Sequence, residues 1–199
     1  MKILGIIPAR YASSRLPAKL LLEVNGKSVL QMVYERCLKA NSLSDVVIAT
    51  DSTLVEEHVR NFGGNVVMTS DKHPSGTDRC AEALKVMGGT VNYDFVINIQ
   101  GDEPLMDPEN INRLSASFKI TSEIASVCIR IKETDVLLNP NVVKVVMNEQ
   151  QEALYFSRSP IPHLREVATD QWVSQADYFK HIGMYGFRAD ILEKVVKLP

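Results

Sequence analysis

The stretch DFVINIQ, residues 94–100, is apolar almost throughout and rich in β-branched side chains. A strand of this composition is typical of a parallel sheet that is covered by helices on both faces. Three earlier runs of the same character are separated from one another by segments with helical spacing of their apolar residues. The strand-like runs are KILGII (2–7), DVVIAT (45–50) and NVVMTS (65–70); the helical segments span 28–40, 53–62 and 77–87. This alternation predicts an α/β fold, a mostly parallel open sheet with helices on both faces.

The pattern changes after about residue 139. Residues 141–158 predict two strands around a polar turn at 148–151, residues 178–187 predict a further strand, and residues 189–198 predict a last helix. We therefore predict a single domain over 1–199, with an α/β core over 1–139 and a mixed C-terminal part over 140–199. That part could be an edge extension of the sheet or an oligomer contact.

The composition is that of an ordinary globular protein. The chain has 199 residues, of which 45% are hydrophobic and 23% charged, and its net charge of −2 argues against a broad nucleic-acid-binding face. No run approaches the length of about 20 apolar residues that a membrane span needs, so we expect no membrane partner. The apolar run at the N-terminus is too short for a signal peptide. Cys37, Cys80 and Cys128 form no paired pattern, which indicates reduced thiols in a cytoplasmic protein.

The loop that follows the first strand is unusually cationic. In GIIPARYASSRLPAKLL (5–21), Arg10, Arg15 and Lys19 occur with no acid before Glu23. Ligands of open parallel sheets bind at the carboxyl ends of the strands, and such cations suit a polyanion like a triphosphate. The alternative is a solvated basic loop.

A P-loop and a dinucleotide fingerprint are both excluded as the phosphate site. NGKS (25–28) has Leu21 where a P-loop requires glycine, and no GxGxxG follows the first strand. We predict that NGKS forms a turn and caps the next helix.

Two further loops fall on the same sheet edge. In VINIQGDEP (96–104), Asp102 follows a strand and is a natural magnesium ligand beside phosphates, or else a residue of an ordinary turn. In HPSGTDR (73–79), backbone groups of Ser75 and Gly76 could read a flat base, with Thr77 predicted to cap the helix. The alternative is a capped loop with Arg79 on the surface.

Seven motifs in order resemble those of the 3-deoxy-manno-octulosonate (Kdo) cytidylyltransferases, or CMP-Kdo synthetases, and the resemblance spans the whole chain. Parts of the first motif recur more loosely in CMP-sialic acid synthetases. The motifs are IIPARYASSRLPAK, ATD (49–51), SGTDR, INIQGDEP, NPNVVKVV, ALYFSRSPIP and HIGMYGF.

The resemblance implies an activity and a setting. CTP and Kdo would give CMP-Kdo and pyrophosphate in the cytoplasm, with Mg2+ as cofactor and for lipopolysaccharide synthesis. The Kdo anomeric hydroxyl would attack the α-phosphorus in line, so catalysis would rest on positioning and electrostatic stabilisation. The segment beginning ALYFSRSPIP resembles the family's dimerisation region, so we expect a homodimer.

The resemblance also implies residue roles. The catalytic group would be Arg10, Arg15, Lys19 and the metal ligand Asp102. The nucleotide would contact Pro8, Ala9, Arg10, Ser13, Arg15, Lys19, Ser75, Gly76, Arg79 and Gln100, and the sugar Gln100, Arg158, His181 and Tyr185. Without the resemblance, His181 would be read as a core histidine and Tyr185 as a core or interface aromatic residue.

Family chains continue past residue 199, by the same resemblance, and supply a second metal-binding aspartate there. A single carboxylate with substrate phosphates holds magnesium weakly, so we expect residues 1–199 alone to turn over slowly or not at all. Two rivals stay open at this point. One is a nucleotidyltransferase acting on sialic acid or a sugar phosphate, and the other is a non-catalytic nucleotide-binding or dimerisation module.

Overall fold

The structure is a computed structural model that describes residues 1–11, 18–119 and 121–198. It divides into two compact units. The first contains residues 1–125 and 184–199, and the second contains residues 126–183. The chain thus leaves the first unit well before residue 140 and returns to it at Met184, because the end of the last strand pairs with a strand of the first unit.

The first unit is built on a parallel sheet with the spatial order β5-β4-β1-β6, followed by the C-terminal half of β10, which runs antiparallel to β6. This confirms the predicted mostly parallel α/β sheet. Its strands are β1 (Ile3–Ala9), β4 (Asp45–Thr50), β5 (Val66–Met68), β6 (Phe95–Asn98) and the end of β10 (Phe179–Arg188); β2 (Glu23–Val24) and β3 (Lys27–Ser28) form a separate hairpin.

Helices cover this sheet because its strands alternate apolar side chains on two faces. Leu4 and Ile6 pack against α3 and α8, whereas Ile3 and Ile7 point the other way, toward the side where α1 contacts β1 and β4. The helices of the first unit are α1 (Val29–Cys37), α2 (Thr53–Asn61), α3 (Gly76–Val86), α4 (Gly89–Asn92), α5 (Pro108–Ser117) and α8 (Ala189–Val195).

The turn and cap predicted at NGKS are confirmed. Asn25 and Gly26 have φ values of 53° and 75°, as a tight hairpin turn requires, and the Ser28 hydroxyl accepts a hydrogen bond from the Gln31 amide at 3.1 Å. At the start of α2, the spacing of Thr53 and Glu56 in the sequence predicts a capping box, and this prediction is wrong. Ser52 is the N-cap there, without a side-chain capping bond, so Thr53 already lies inside the helix.

The second unit is a small antiparallel sheet with its own apolar cluster. In it β10 pairs with β7 and β8, and β8 pairs with β9 across the predicted polar turn. Ile131, Leu137, Trp172 and Tyr178 form the buried cluster. The elements of this part are β7 (Ile124–Arg130), α6 (Thr134–Leu138), β8 (Lys144–Met147), β9 (Ala153–Ser157), α7 (Trp172–Gln175) and the start of β10.

Among the described residues, no helix has the length and apolar character that crossing a membrane demands. All three cysteines are free thiols. Burial raises the pKa of Cys37 to about 12, and burial also raises the pKa of Cys80 and of Cys128. These thiols therefore stay protonated and unreactive near neutral pH.

Candidate active site

Three loops converge on the end of β1 because two glycines permit close approach. A Cβ atom on Gly76 would lie 3.3 Å from Cγ of Pro8, and one on Gly101 would lie 3.4 Å from the carbonyl oxygen of Pro8. Gly76 opens α3, and Gly101 follows β6. Described residues from three separate motifs therefore meet at one edge of the sheet, where parallel α/β folds bind ligands.

Lys19 and Asp102 form an ion pair at this edge. Lys19 opens a 3-10 turn over Lys19–Leu21, and the buried side chain of Leu20 anchors that turn. The side chains of Lys19 and Asp102 are 38% and 42% exposed, so water reaches both charges. A pair this exposed contributes about 1 kcal/mol or less to folding, which leaves both groups available to a ligand.

Arg10 is directed toward the loop before α3. Its Nη2 donates a hydrogen bond to the carbonyl oxygen of His73 at 2.5 Å. The His73 ring pairs with Glu82, whose carboxylate also accepts the Ser70 amide at 2.8 Å. These bonds lower the pKa of Glu82, the Ser70 amide first and the His73 ring second. The loop that orients Arg10 is thus fixed at two points by one carboxylate.

Ser75 is the N-cap of α3, where we had expected Thr77. The Ser75 hydroxyl accepts the Asp78 amide at 3.2 Å, and the Asp78 carboxylate accepts the Ser75 amide at 3.1 Å, which completes a capping box. The SGTD sequence fits this box better than a cap at Thr77, because Ser75 and Asp78 have the required spacing. Recognition of a nucleotide base by the backbone groups of Ser75 and Gly76 stays a prediction.

Arg79 is fully buried, not on the surface. Its Nη1 donates to Oγ1 of Thr69 at 2.6 Å, and its Nη2 donates to the Asp51 carboxylate at 2.8 Å. Arg79 therefore ties α3 to the ends of β4 and β5, and its contact with nucleotide stays a prediction. Sequence reasoning missed Asp51 as the partner, although the ATD motif that ends β4 contains it.

Gln100 and Tyr185 also lie in the first unit. Gln100 is half-buried just after β6, and Tyr185 pairs in register with Asn98. Burial raises the pKa of Tyr185, so its hydroxyl is protonated at neutral pH. Tyr185 and Ser75 line a cavity of about 360 Å³, which reaches from the α3 cap to α8.

Arg158 and His181 belong to the second unit. The Arg158 side chain is exposed, and its Nη1 donates to the carbonyl oxygen of Pro140 at 3.1 Å. Nε2 of His181 lies 2.7 Å from the Ser126 hydroxyl, and the ring stands edge-on to Phe156. Burial lowers the pKa of His181, which favours the neutral ring.

Two predicted nucleotide contacts, Ser13 and Arg15, lie outside the described residues. Within the described part of the chain, no group of three or more His, Cys, Asp or Glu side chains is placed to hold a metal ion. Among those residues Asp102 is therefore joined by at most one other such side chain. That donor set suits magnesium only where substrate phosphates complete the coordination.

Comparison with known proteins identifies the family to which this chain is similar. The family model described as cytidylyltransferase matches residues 4–199. Relatives named 3-deoxy-manno-octulosonate cytidylyltransferase include that of Cytophaga hutchinsonii, 44% identical over all of this chain and 79% of its own length. The namesake from Bacteroides thetaiotaomicron is 47% identical over all of this chain and 80% of its own length.

Solved structures that resemble this chain are also cytidylyltransferases. A structure described as CMP:2-keto-3-deoxy-manno-octonic acid synthetase complexed with CTP has a TM-score of 0.89 and 42% identity, over all of this chain and 79% of that one. A cytidylyltransferase from Leptospira borgpetersenii, at TM-score 0.62 and 20% identity over all of this chain and 65% of that one, shares the fold. The chain thus belongs to the cytidylyltransferase family, among the 3-deoxy-manno-octulosonate cytidylyltransferases.

Proposed function

We propose that this chain transfers CMP from CTP to Kdo and releases pyrophosphate, for lipopolysaccharide synthesis. The proposal rests on one observation, the ion pair between Lys19 and Asp102 beside the end of β1. A cation for phosphate oxygens and a carboxylate for a metal then face the same ligand. The names of the relatives and the CTP complex of the similar structure support the choice of substrates.

In this proposal the basic groups bind the triphosphate. Arg10, Arg15 and Lys19 neutralise the phosphate oxygens and the departing pyrophosphate, while the Kdo anomeric hydroxyl attacks the α-phosphorus in line. Arginine suits this task because its planar fork matches two phosphate oxygens, and lysine adds a compact charge. The protein contributes position and electrostatic stabilisation and forms no covalent intermediate.

The remaining predicted contacts recognise the two organic groups. Backbone groups of Pro8, Ala9, Ser75 and Gly76 recognise cytosine, near the point where two glycine-containing loops close on Pro8. Gln100 lies between nucleotide and sugar. Arg158 binds the Kdo carboxylate, and His181 and Tyr185 bind its hydroxyls; the neutral state of both rings is consistent with hydrogen bonding to hydroxyls.

We assign magnesium to Asp102. The residues fit this ion, since magnesium commonly takes one or two carboxylates and completes its shell with substrate phosphates and water. The exposed carboxylate of Asp102 can exchange Lys19 for the ion without unfolding the site. Bound magnesium would supply positive charge for the phosphate oxygens.

The proposed reaction is tested by pyrophosphate release. In the full-length protein we expect release with CTP and Kdo together, and at least tenfold slower release when sialic acid replaces Kdo, since discrimination rests on contacts to the sugar. Faster turnover with sialic acid or with a sugar phosphate would favour the rival nucleotidyltransferase. A protein that is stabilised by CTP but releases no pyrophosphate with any sugar would be a binding module.

We also propose a homodimer that forms through the second unit. Leu154, Tyr155 and Phe156 are consecutive in β9 and exposed by 64%, 60% and 46%, and β9 pairs with β8 alone among the described strands. Exposed apolar side chains on an edge strand favour association with another chain.

The free thiols Cys37, Cys80 and Cys128 support a reducing location, which we take to be the cytoplasm.

Leu154→Glu is expected to convert the dimer into monomers, because it places a charge inside the apolar contact. Sedimentation velocity at about 20 μM gives the readout, with Kd raised at least a hundredfold. Val91→Glu is the matched control, since Val91 is 92% exposed in α4 of the first unit and should leave the dimer intact. A monomeric wild-type protein, or a dimeric Leu154→Glu variant, would contradict the proposal.

A further inference from the structure

Lys144 in β8 is a buried charge whose role the predicted site does not explain. Its exposed fraction is 0%, and it is among the largest fully buried side chains of the described chain. The ammonium donates to three backbone carbonyl oxygens, those of Asn139 at 2.8 Å, Val142 at 2.9 Å and Arg158 at 2.7 Å. All three donors of the ammonium are therefore used.

A buried cation whose partners are backbone carbonyls carries a desolvation penalty, so stability alone does not explain its presence. Among the described residues, Lys144 makes no salt bridge to a carboxylate, and an apolar side chain of similar size often stabilises such a position better. Burial first, and then the positive charge of Arg158, lower the pKa of Lys144. Lys144 and Arg158 are both positively charged, and a site with two such neighbouring charges favours the binding of an anion.

The three carbonyls show what Lys144 fixes. Asn139 and Val142 bracket the turn after α6, and Arg158 follows β9. The side chain of Arg158 in turn donates to Pro140, which lies inside the same turn. Lys144 therefore holds both the backbone of Arg158 and the turn on which the Arg158 guanidinium rests.

We propose that Lys144 is a positioning residue that fixes the Arg158 guanidinium for the carboxylate of the sugar acid. This inference rests on the proposed function, because it takes Arg158 as the group that binds that carboxylate. Lys144 touches no substrate in this account. It restricts the backbone of Arg158 and the turn at 139–142. Binding of the sugar acid then requires little further ordering of this part of the chain.

Lys144→Met tests the proposal, since methionine keeps the length of the side chain and removes the donors. We expect the KM for Kdo to rise about tenfold and the KM for CTP to change less than about twofold. In an Arg158→Ala background, Lys144→Met should raise the KM for Kdo no further, because it acts through the absent guanidinium. Additive effects in the double variant would overturn the positioning role.

Leu137→Ala is the control for a loss of stability in the same unit, since Leu137 is fully buried in the cluster with Trp172. It should lower Tm without changing the KM for Kdo. Should Lys144→Met not fold, Lys144→Gln keeps two N–H donors and should give an intermediate KM for Kdo. With the full-length protein as the enzyme, an active wild type and an unchanged KM for Kdo in the Lys144 variant overturn this inference alone, whereas a full-length wild-type protein inactive with Kdo overturns the proposed function.

Discussion

Asp102→Asn is expected to lower kcat for pyrophosphate release at least about a hundredfold, the scale of removing one group that stabilises developing charge. Asparagine keeps the shape of the side chain and loses the charge that a metal ion requires. The fold should persist, because the Asp102 carboxylate is 42% exposed and its ion pair with Lys19 lies at the surface. We therefore expect Tm to move by less than about 4 °C.

Glu103→Gln is the matched control for this experiment. Glu103 is the adjacent exposed acid, and we assign it no ligand. The same charge change one residue away should leave kcat within about twofold of wild type. If the Asp102→Asn variant releases pyrophosphate at the wild-type rate, Asp102 has no role in the mechanism. The cations of the first loop would then act without a metal-binding carboxylate beside them.

Asp51→Asn is expected to cost about 3 kcal/mol of unfolding free energy. The reason is that the guanidinium of Arg79 is completely buried and would lose its only described carboxylate partner, and an uncompensated buried charge is strongly destabilising. Urea denaturation of the purified variant measures the loss as a shift of the midpoint. Arg79→Met should cost less, because the Asp51 carboxylate that remains is 20% exposed and can be hydrated.

Two further variants sharpen this prediction. Asp71→Asn removes an exposed acid that precedes the same helix and should change stability by less than about 0.5 kcal/mol. The double variant Asp51→Asn with Arg79→Met should be more stable than the sum of its single changes, because neither charge is then left alone. Simple additivity would mean that Asp51 and Arg79 do not stabilise each other.

Features that depend on local sequence were predictable. DVVIAT coincides with β4, because a short β-branched run has few alternatives to a buried strand. NGKS yields both its turn and its Ser28 cap. The sequence SGTD encoded the cap of α3 too, but the prediction chose Thr77 although Ser75 and Asp78 carried the capping-box spacing.

Partners that come from distant segments were not predictable. Asp51 and Arg79 are 28 residues apart, and their pairing follows only from the packing of α3 against the ends of β4 and β5. Lys144 was equally hidden, since a lysine in an apolar strand is usually read as an exposed side chain. For the candidate site, parallel topology alone predicted that the loops after β1 and β6 meet, and Lys19 and Asp102 do so.

The ion pair of Lys19 and Asp102 has a thermodynamic consequence. In the free protein each of these two charges partly neutralises the other. In the proposed function, a triphosphate that drew Lys19 away would leave the Asp102 carboxylate available to a divalent cation, and Asp102 engaged in this way would leave the Lys19 ammonium available to the triphosphate. Linkage then requires each ligand to raise the affinity of the other by the same factor.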